Sequence, residues 1–166
     1  DMSKLTIFDL DNTLLAGDSD RAWGQYIVEK KIVSDDFLIE SEKFYNSYYE
    51  GDLDINGFLA FCLKPLTENK LSELLELREG FIEDKIKPMM LKEAIRTVNQ
   101  KKLEGPVVIA TATNSFVTRP IADLFEIKDL IATEFIIKDN EFNGQVDGIP
   151  CFREGKVKKV EEWVNI

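Results

Sequence analysis

Hydrophobic positions along this chain follow two patterns, and the order of the patterns predicts an architecture. Leu5 to Phe8 is a short apolar run closed by polar turn residues, which reads as a buried strand ending in a loop. From residue 18 to residue 85 the spacing becomes helical. Trp23, Tyr26 and Ile27 share a face; Phe37, Leu38, Phe44, Tyr45, Tyr48 and Tyr49 follow, then Ile55, Phe58, Leu59 and Cys62, and the aromatics among them read as core. Thr67 is placed to cap a further helix whose face carries Leu71, Leu74, Leu75, Arg78, Phe81 and Ile82. Gly51 with Asp52, and Pro65, punctuate the segment.

Pro88 opens another helix with Leu91, Ile95 and Val98 on one face, and Gly105 with Pro106 stops it. Val107 to Ala110 is unbroken and apolar, the pattern of a second buried parallel strand. A helix from about Val117 to Phe125 follows, then a third apolar run, Leu130 to Ala132. FIIKDNEFNGQV alternates about a polar turn, as a β-hairpin does, and Gly148 and Pro150 lead to a last helix, Val157 to Val164. Strand, helices, strand, helix, strand is the order of a doubly wound α/β fold with a parallel sheet. The expected organisation is a Rossmann-like core of residues 2–16 and 86–166, with residues 17–85 inserted after the first strand as a helical cap over the strand ends.

Composition narrows the function. The chain has 166 residues, 44% of them hydrophobic and 31% charged, which is ordinary for a globular protein with one good core. A formal net charge of -10 argues against nucleic acid or an anionic membrane as partner, because both would be repelled. No apolar run approaches the roughly 18 residues of a membrane span, and the first residues lack the basic and apolar regions of a signal peptide, so the expected location is cytoplasmic. Cys62 and Cys151 match no zinc or redox spacing and are expected to be reduced, inert thiols. The chain contains no His, which excludes Ser-His-Asp and Cys-His catalysis and His-based zinc hydrolysis. Carboxylates, Lys, hydroxyls and a hard metal remain, and these are the tools of phosphoryl transfer.

The candidate chemistry begins where the first strand ends. Asp9 and Asp11 sit there, one residue apart, and in an open parallel sheet the carboxyl ends of strands are where ligands bind. The bland alternative is a turn-capping Asp9 and a solvated Asp11. With Asn12 and Thr13, the stretch resembles the first signature of the haloacid dehalogenase superfamily, an apolar strand followed by D-x-D-x-T. The resemblance implies that Asp9 attacks phosphorus and Asp11 serves as general acid and base. A carboxylate nucleophile suits this task, because forming and then hydrolysing an acyl phosphate splits one hard step into two easier ones.

Two further sites match the same superfamily. Thr111, at the end of the second strand in IATATNSF, matches the hydroxyl that binds the phosphoryl group, with the backbone N–H groups of Ala112 and Thr113 beside it near a helix N-terminus. Lys156, in CFREGKVKK, matches the lysine that neutralises the nucleophile and the transferring oxygens. Without that context, Thr111 would be a strand-end turn residue and Lys156 a solvated helix residue.

The blocks FDLDNTLLAGDSD, TATNSFVTRPIADL and GIPCFREGKV resemble one branch more closely, that of phosphoserine phosphatases and bacterial histidinol-phosphate phosphatases. In that branch an acid nine residues after the nucleophile binds the substrate's amino group, and Asp18 stands at that place. Asp18 is also placed to cap the first inserted helix. The resemblance thus implies a small-molecule phosphate ester bearing an amine, histidinol phosphate or phosphoserine, and Mg2+ held by the Asp9 carboxylate and the backbone carbonyl of Asp11. The family completes the metal site with a fourth signature, a pair of acids past the lysine helix, and those acids are not among these 166 residues. The expectation for the 166 residues alone is weak Mg2+ affinity and poor turnover; the alternative function is a phosphate-binding or regulatory remnant.

Overall fold

The computed structural model describes residues 4–165. Strands β1 (Thr6–Phe8), β2 (Val107–Ala110) and β3 (Asp129–Ile131) form a three-stranded sheet in that order. Both pairings are parallel, with Thr6 opposite Val107 and Ile109 opposite Leu130. The central strand explains its own unbroken apolar sequence, since Val108, Ile109 and Ala110 have no exposed surface on either face. The chain enters β2 through Gly105, where an added Cβ would lie 2.1 Å from the Lys4 carbonyl oxygen; only glycine permits that approach.

Between β1 and β2 lie four helices, α1 (Ser19–Glu29), α2 (Asp36–Glu50), α3 (Ile55–Thr67) and α4 (Leu71–Phe81), then α5 (Lys92–Glu104). After β2 come α6 (Ser115–Leu124) and β3, a hairpin of β4 (Glu134–Lys138) and β5 (Glu141–Asp147), and α7 (Glu154–Val164). The α/β class and the parallel sheet are as the sequence predicts. The hairpin turns on Asp139 and Asn140, whose φ angles of 53° and 63° match the right-handed twist of a tight two-residue turn. Three local expectations are corrected. Thr67 does not cap α4: it ends α3, and its hydroxyl donates to the Lys64 carbonyl at 2.9 Å. Pro65 lies inside the last turn of α3, where it forfeits a single helical hydrogen bond. Pro88 does not open α5, because α4 runs on through a π-helical turn (Ile82–Ile86) and a 3-10 turn (Lys87–Met89) that contains it.

One hydrophobic cluster joins Phe8 and Ile109 of the sheet to Trp23, Tyr26 and Ile27 of α1, Phe81 of α4, and Val117 and Ile121 of α6. Trp23 meets Phe81 and Phe116 edge-on, at 5.2 and 5.8 Å between ring centres. On the opposite face Val108, Ala110, Ile131 and Cys151 pack against Val160 and Trp163 of α7. Helices therefore cover both faces and leave the strand ends open. Phe37 packs against this core as expected, but other aromatics of the inserted helices depart from it. Tyr49 is 76% exposed, and Phe44, Tyr45 and Phe58 wall a cavity. No helix among the described residues is long and apolar enough to cross a membrane.

Candidate active site

Leu10 anchors the loop that leaves β1. Its side chain is buried and its carbonyl accepts hydrogen bonds from the N–H groups of Thr13, Leu14 and Leu15. Asn12, at a φ of 59°, turns the chain, and its N–H reaches the Gly17 carbonyl at 2.9 Å. Asp9 and Asp11, on either side of Leu10, both line the cavity beyond the strand ends. The backbone carbonyl of Asp11 receives no donor among the described residues.

Asp11 is held at both oxygens. Oδ1 accepts from the backbone N–H of Ser19 at 2.7 Å, in the first turn of α1, and Oδ2 accepts from the Thr113 hydroxyl at 3.0 Å. Burial pushes its pKa above the ordinary carboxylate range and the charge of Asp18 adds to the rise, while the hydrogen bonds from Ser19 and Thr113 oppose it. A carboxyl that keeps its proton more readily suits an acid–base role near neutrality. Asp9 is exposed to the cavity, and one of its oxygens accepts from the Lys156 ammonium.

Lys156 reaches Asp9 from the first turn of α7. Arg153, just before that turn, has a φ of 52°, a strained conformation for a side chain of its size. At Gly155 an added Cβ would lie 2.2 Å from the Pro150 carbonyl oxygen. The helix start is thus pressed against the loop that precedes it, and this fixes where Lys156 emerges. At the end of β2, Thr111 is buried, its N–H bonded to Ile131 and its hydroxyl accepting from the Thr113 N–H at 3.2 Å. Ala112 is exposed; its carbonyl accepts from Thr133, and its N–H finds no acceptor among the described residues. Asn114 caps α6 through Val117, so this loop presents an unpaired N–H beside a helix N-terminus, an anion-binding arrangement.

Asp9, Asp11, Thr111, Ala112 and Lys156 therefore line one cavity of about 700 Å³. Asp18 lines it too, and also caps α1 by accepting from the Arg21 N–H at 2.9 Å. The Thr113 N–H, expected beside that of Ala112 as an anion donor, is instead given to the Thr111 hydroxyl, and two side chains, those of Thr113 and Asp20, escaped the sequence reading. Thr113 had a signal, its place two residues past Thr111 in the same hydroxyl-rich loop. Asp20 had none, because it stands in an acidic run at a helix start, where a dipole-complementing role suffices. The Tyr45 hydroxyl donates to Asp20 Oδ2 at 2.6 Å. Burial pushes the Asp20 carboxyl up to about 7 against the lowering effect of Tyr45, with the charges of Asp18 and Asp11 adding to the rise. Both cysteines are free, and burial raises the pKa of each, which makes them unreactive.

Among the described residues no three His, Cys, Asp or Glu side chains converge on a metal position. What the site offers a cation is the second oxygen of Asp9 and the undonated carbonyl of Asp11. Both are hard oxygens, the type Mg2+ prefers, and Mg2+ commonly keeps several waters. The donor set fits the ion in kind and supplies part of its shell.

A strand-end carboxylate facing a lysine, beside a second carboxyl and an anion-binding loop, defines a phosphoryl-transfer site. The chain belongs to the haloacid dehalogenase-like hydrolase family, whose pattern it matches over residues 6–166. Within that family it sits with phosphatases. It is 36% identical to a histidinol-phosphatase of Neisseria meningitidis serogroup C, over 98% of this chain and 75% of that protein. Among solved structures it resembles a Bordetella pertussis protein of unknown function, with 35% identity and a TM-score of 0.86 over 96% of this chain and 73% of the other. A phosphoserine phosphatase captured as a phospho-aspartyl intermediate analogue shares the fold, at 19% identity and a TM-score of 0.66, over 99% of this chain and 72% of the other.

Proposed function

We propose that this chain is a Mg2+-dependent phosphomonoesterase that works through an aspartyl phosphate on Asp9, acting in the cytoplasm on a small amine-bearing phosphate ester. The observation that carries the reading is the placement of Asp9: exposed to the cavity, paired with Lys156, and beside an Asp11 locked by two hydrogen bonds. An Asp9 oxygen attacks phosphorus and the ester P–O bond breaks, while Asp11 gives its proton to the departing alkoxide. Asp11 then takes a proton from water as that water attacks phosphorus, the bond from phosphorus to Asp9 breaks, and phosphate leaves. Thr111, the Ala112 N–H and Lys156 hold the phosphoryl oxygens as charge moves across them. Mg2+, bound by the Asp9 carboxylate and the Asp11 carbonyl, would screen the nucleophile from the anionic substrate.

The charges of the cavity favour histidinol phosphate over phosphoserine. Four carboxyls line it, Asp9, Asp11, Asp18 and Asp20, against two cations. Those cations are engaged, Lys156 by Asp9 and Arg21 by Glu42, which leaves no unengaged cation for a substrate carboxylate among the lining residues. Asp18 supplies a charge-assisted contact for the amine. The 36%-identical relative named for histidinol phosphate supports the same choice.

Trapping tests the mechanism. Acid-quenched or fluoroberyllate-arrested protein is expected to carry its phosphoryl label or analogue on Asp9, and Asp9→Asn is expected to lose turnover with the fold kept, since an amide is a poor nucleophile. Label on Asp11 would refute the assignment of roles.

A further inference from the structure

Among the residues that line the cavity is a carboxyl group that this chemistry does not use, that of Asp20. Residues two apart on a helix face opposite ways, yet Asp18 and Asp20 line the same space. They can do so because Asp18 is the N-cap, in extended backbone (φ -105°, ψ 121°), and only Asp20 is inside the helix. One oxygen of Asp20 is occupied by the Tyr45 hydroxyl, and the other has only the Cys62 thiol, 3.9 Å away. A thiol is a weak donor, so that oxygen keeps accepting capacity on the cavity side.

The surroundings are aromatic and contain no compensating cation. Phe44 and Phe58 pack edge to face at 5.5 Å, and both line the cavity with Tyr45. Arg21 stacks over the Tyr45 ring at 4.2 Å, but its charge is taken by Glu42. A carboxyl buried beside a tyrosine hydroxyl with no cation paired to it is costly to keep, and such groups persist where a ligand uses them. The free acceptor is a single oxygen, which suits a donor with one N–H in the plane of a ring; an alkylammonium brings three donors.

Resting on the phosphatase reading above, we propose that Asp20, positioned by Tyr45, is the specificity-determining acceptor for a ring N–H of the leaving group, an imidazole-type heterocycle lying against Phe44 and Phe58, while Asp18 takes the amine. A carboxyl that titrates at about 7 is matched to imidazole, at about 6.5, so ring and acid share a proton across the neutral range. Tyr45 acts through Asp20 by holding the carboxyl plane so that its second oxygen faces the ligand.

Calorimetric titration of three phosphate-free amino alcohols onto the metal-free protein tests this. Histidinol carries the amine and the ring N–H, phenylalaninol the amine and a ring without N–H, and lysinol a flexible ammonium. The wild-type protein is expected to bind histidinol at least about tenfold more tightly than phenylalaninol, the scale of a hydrogen bond to a charged group. The ratio is expected to fall to within about twofold of unity in Asp20→Asn and to shrink at least about threefold in Tyr45→Phe. A ratio cancels losses common to both alcohols, and Tyr45→Phe decides the matter if Asp20→Asn does not fold. The proposal is overturned by a wild-type ratio near unity, by a ratio intact in the variants, by lysinol binding more tightly than histidinol, or by no binding of any of the three. Neither phosphate nor Mg2+ enters these titrations, so the phosphatase reading stands or falls separately, on the label at Asp9.

Discussion

Asp20→Asn should make the protein more stable at alkaline pH, and by an amount the structure bounds. Burial holds the Asp20 carboxyl at about 7 in the folded chain, against an ordinary 3.8. Below about pH 4 folded and unfolded chains both carry the proton and nothing is lost. Between about 4 and 7 the unfolded chain releases a proton that the folded chain keeps, so stability falls as pH rises, and it levels off above about 7. At about 1.4 kcal/mol per pH unit, the gap from 3.8 to about 7 sets a ceiling of about 4 kcal/mol. One side of Asp20 faces the cavity, so about 1 to 2 kcal/mol is the working expectation. Asparagine keeps an oxygen for the Tyr45 hydroxyl and carries no charge to desolvate. For a chain of this size that corresponds to a melting temperature about 3 to 8 °C above wild type near pH 8. The advantage should vanish near pH 4. The assay is thermal unfolding of both proteins across that range without Mg2+, so that the ionisation of Asp11 is not altered by a metal. A variant less stable than wild type near pH 8, or a difference independent of pH, would refute the reasoning. The expected result would also make Asp20 a group kept at a cost to stability, as binding residues often are.

Three other outcomes are expected. Thr113→Val removes a hydrogen bond that lowers the pKa of Asp11, so the alkaline limb of the kcat/KM profile, where Asp11 must still hold the proton it gives to the leaving alkoxide, should move to higher pH; a limb that stays put would show that Asp11 is not the titrating group. Gly155→Ala puts a Cβ against the Pro150 carbonyl oxygen and should cost about 1 to 3 kcal/mol of stability while lowering turnover as Lys156 is displaced; unchanged unfolding curves would contradict the packing described at the start of α7. Mg2+ should bind the 166-residue chain only in the millimolar range, because Asp9 and Asp11 give it two oxygens and no third acid joins them among the described residues; micromolar affinity by calorimetry would mean that other acids build the site.

The periodicity of the sequence fixes the class of this fold, and it does so because burial on two faces leaves a mark on residue type. β2 reads as a buried parallel strand, since helices covering both sides leave no place for a polar residue in Val107–Ala110, and its central position is given by the sheet order. The pair Asp9 and Asp11 is equally legible as a pair at a strand end, because one intervening residue, Leu10, keeps both in the loop that leaves β1, where both line the cavity. Helix boundaries were less so. Thr67 and Pro88 carry the usual start signals, but α3 runs on to include Thr67, and the packing of Ile82 and Ile86 into the core carries α4 onward through irregular turns past Pro88.

Tertiary structure alone decided the aromatic wall of the cavity and the place of Asp20 in it. Phe44, Tyr45 and Phe58 have the spacing of core residues, and periodicity cannot distinguish a residue facing a core from one facing a cavity, since both are turned from solvent. Asp20 meets Tyr45 across 25 residues of chain and Cys62 across 42. Lys156 meets Asp9 across 147. Contacts of that range depend on how helices are laid over a sheet. The residues proposed to hold the phosphate were therefore each legible at a strand end or a helix start, whereas their meeting in one cavity, and the aromatic wall of that cavity, came only when the helices were laid over the sheet.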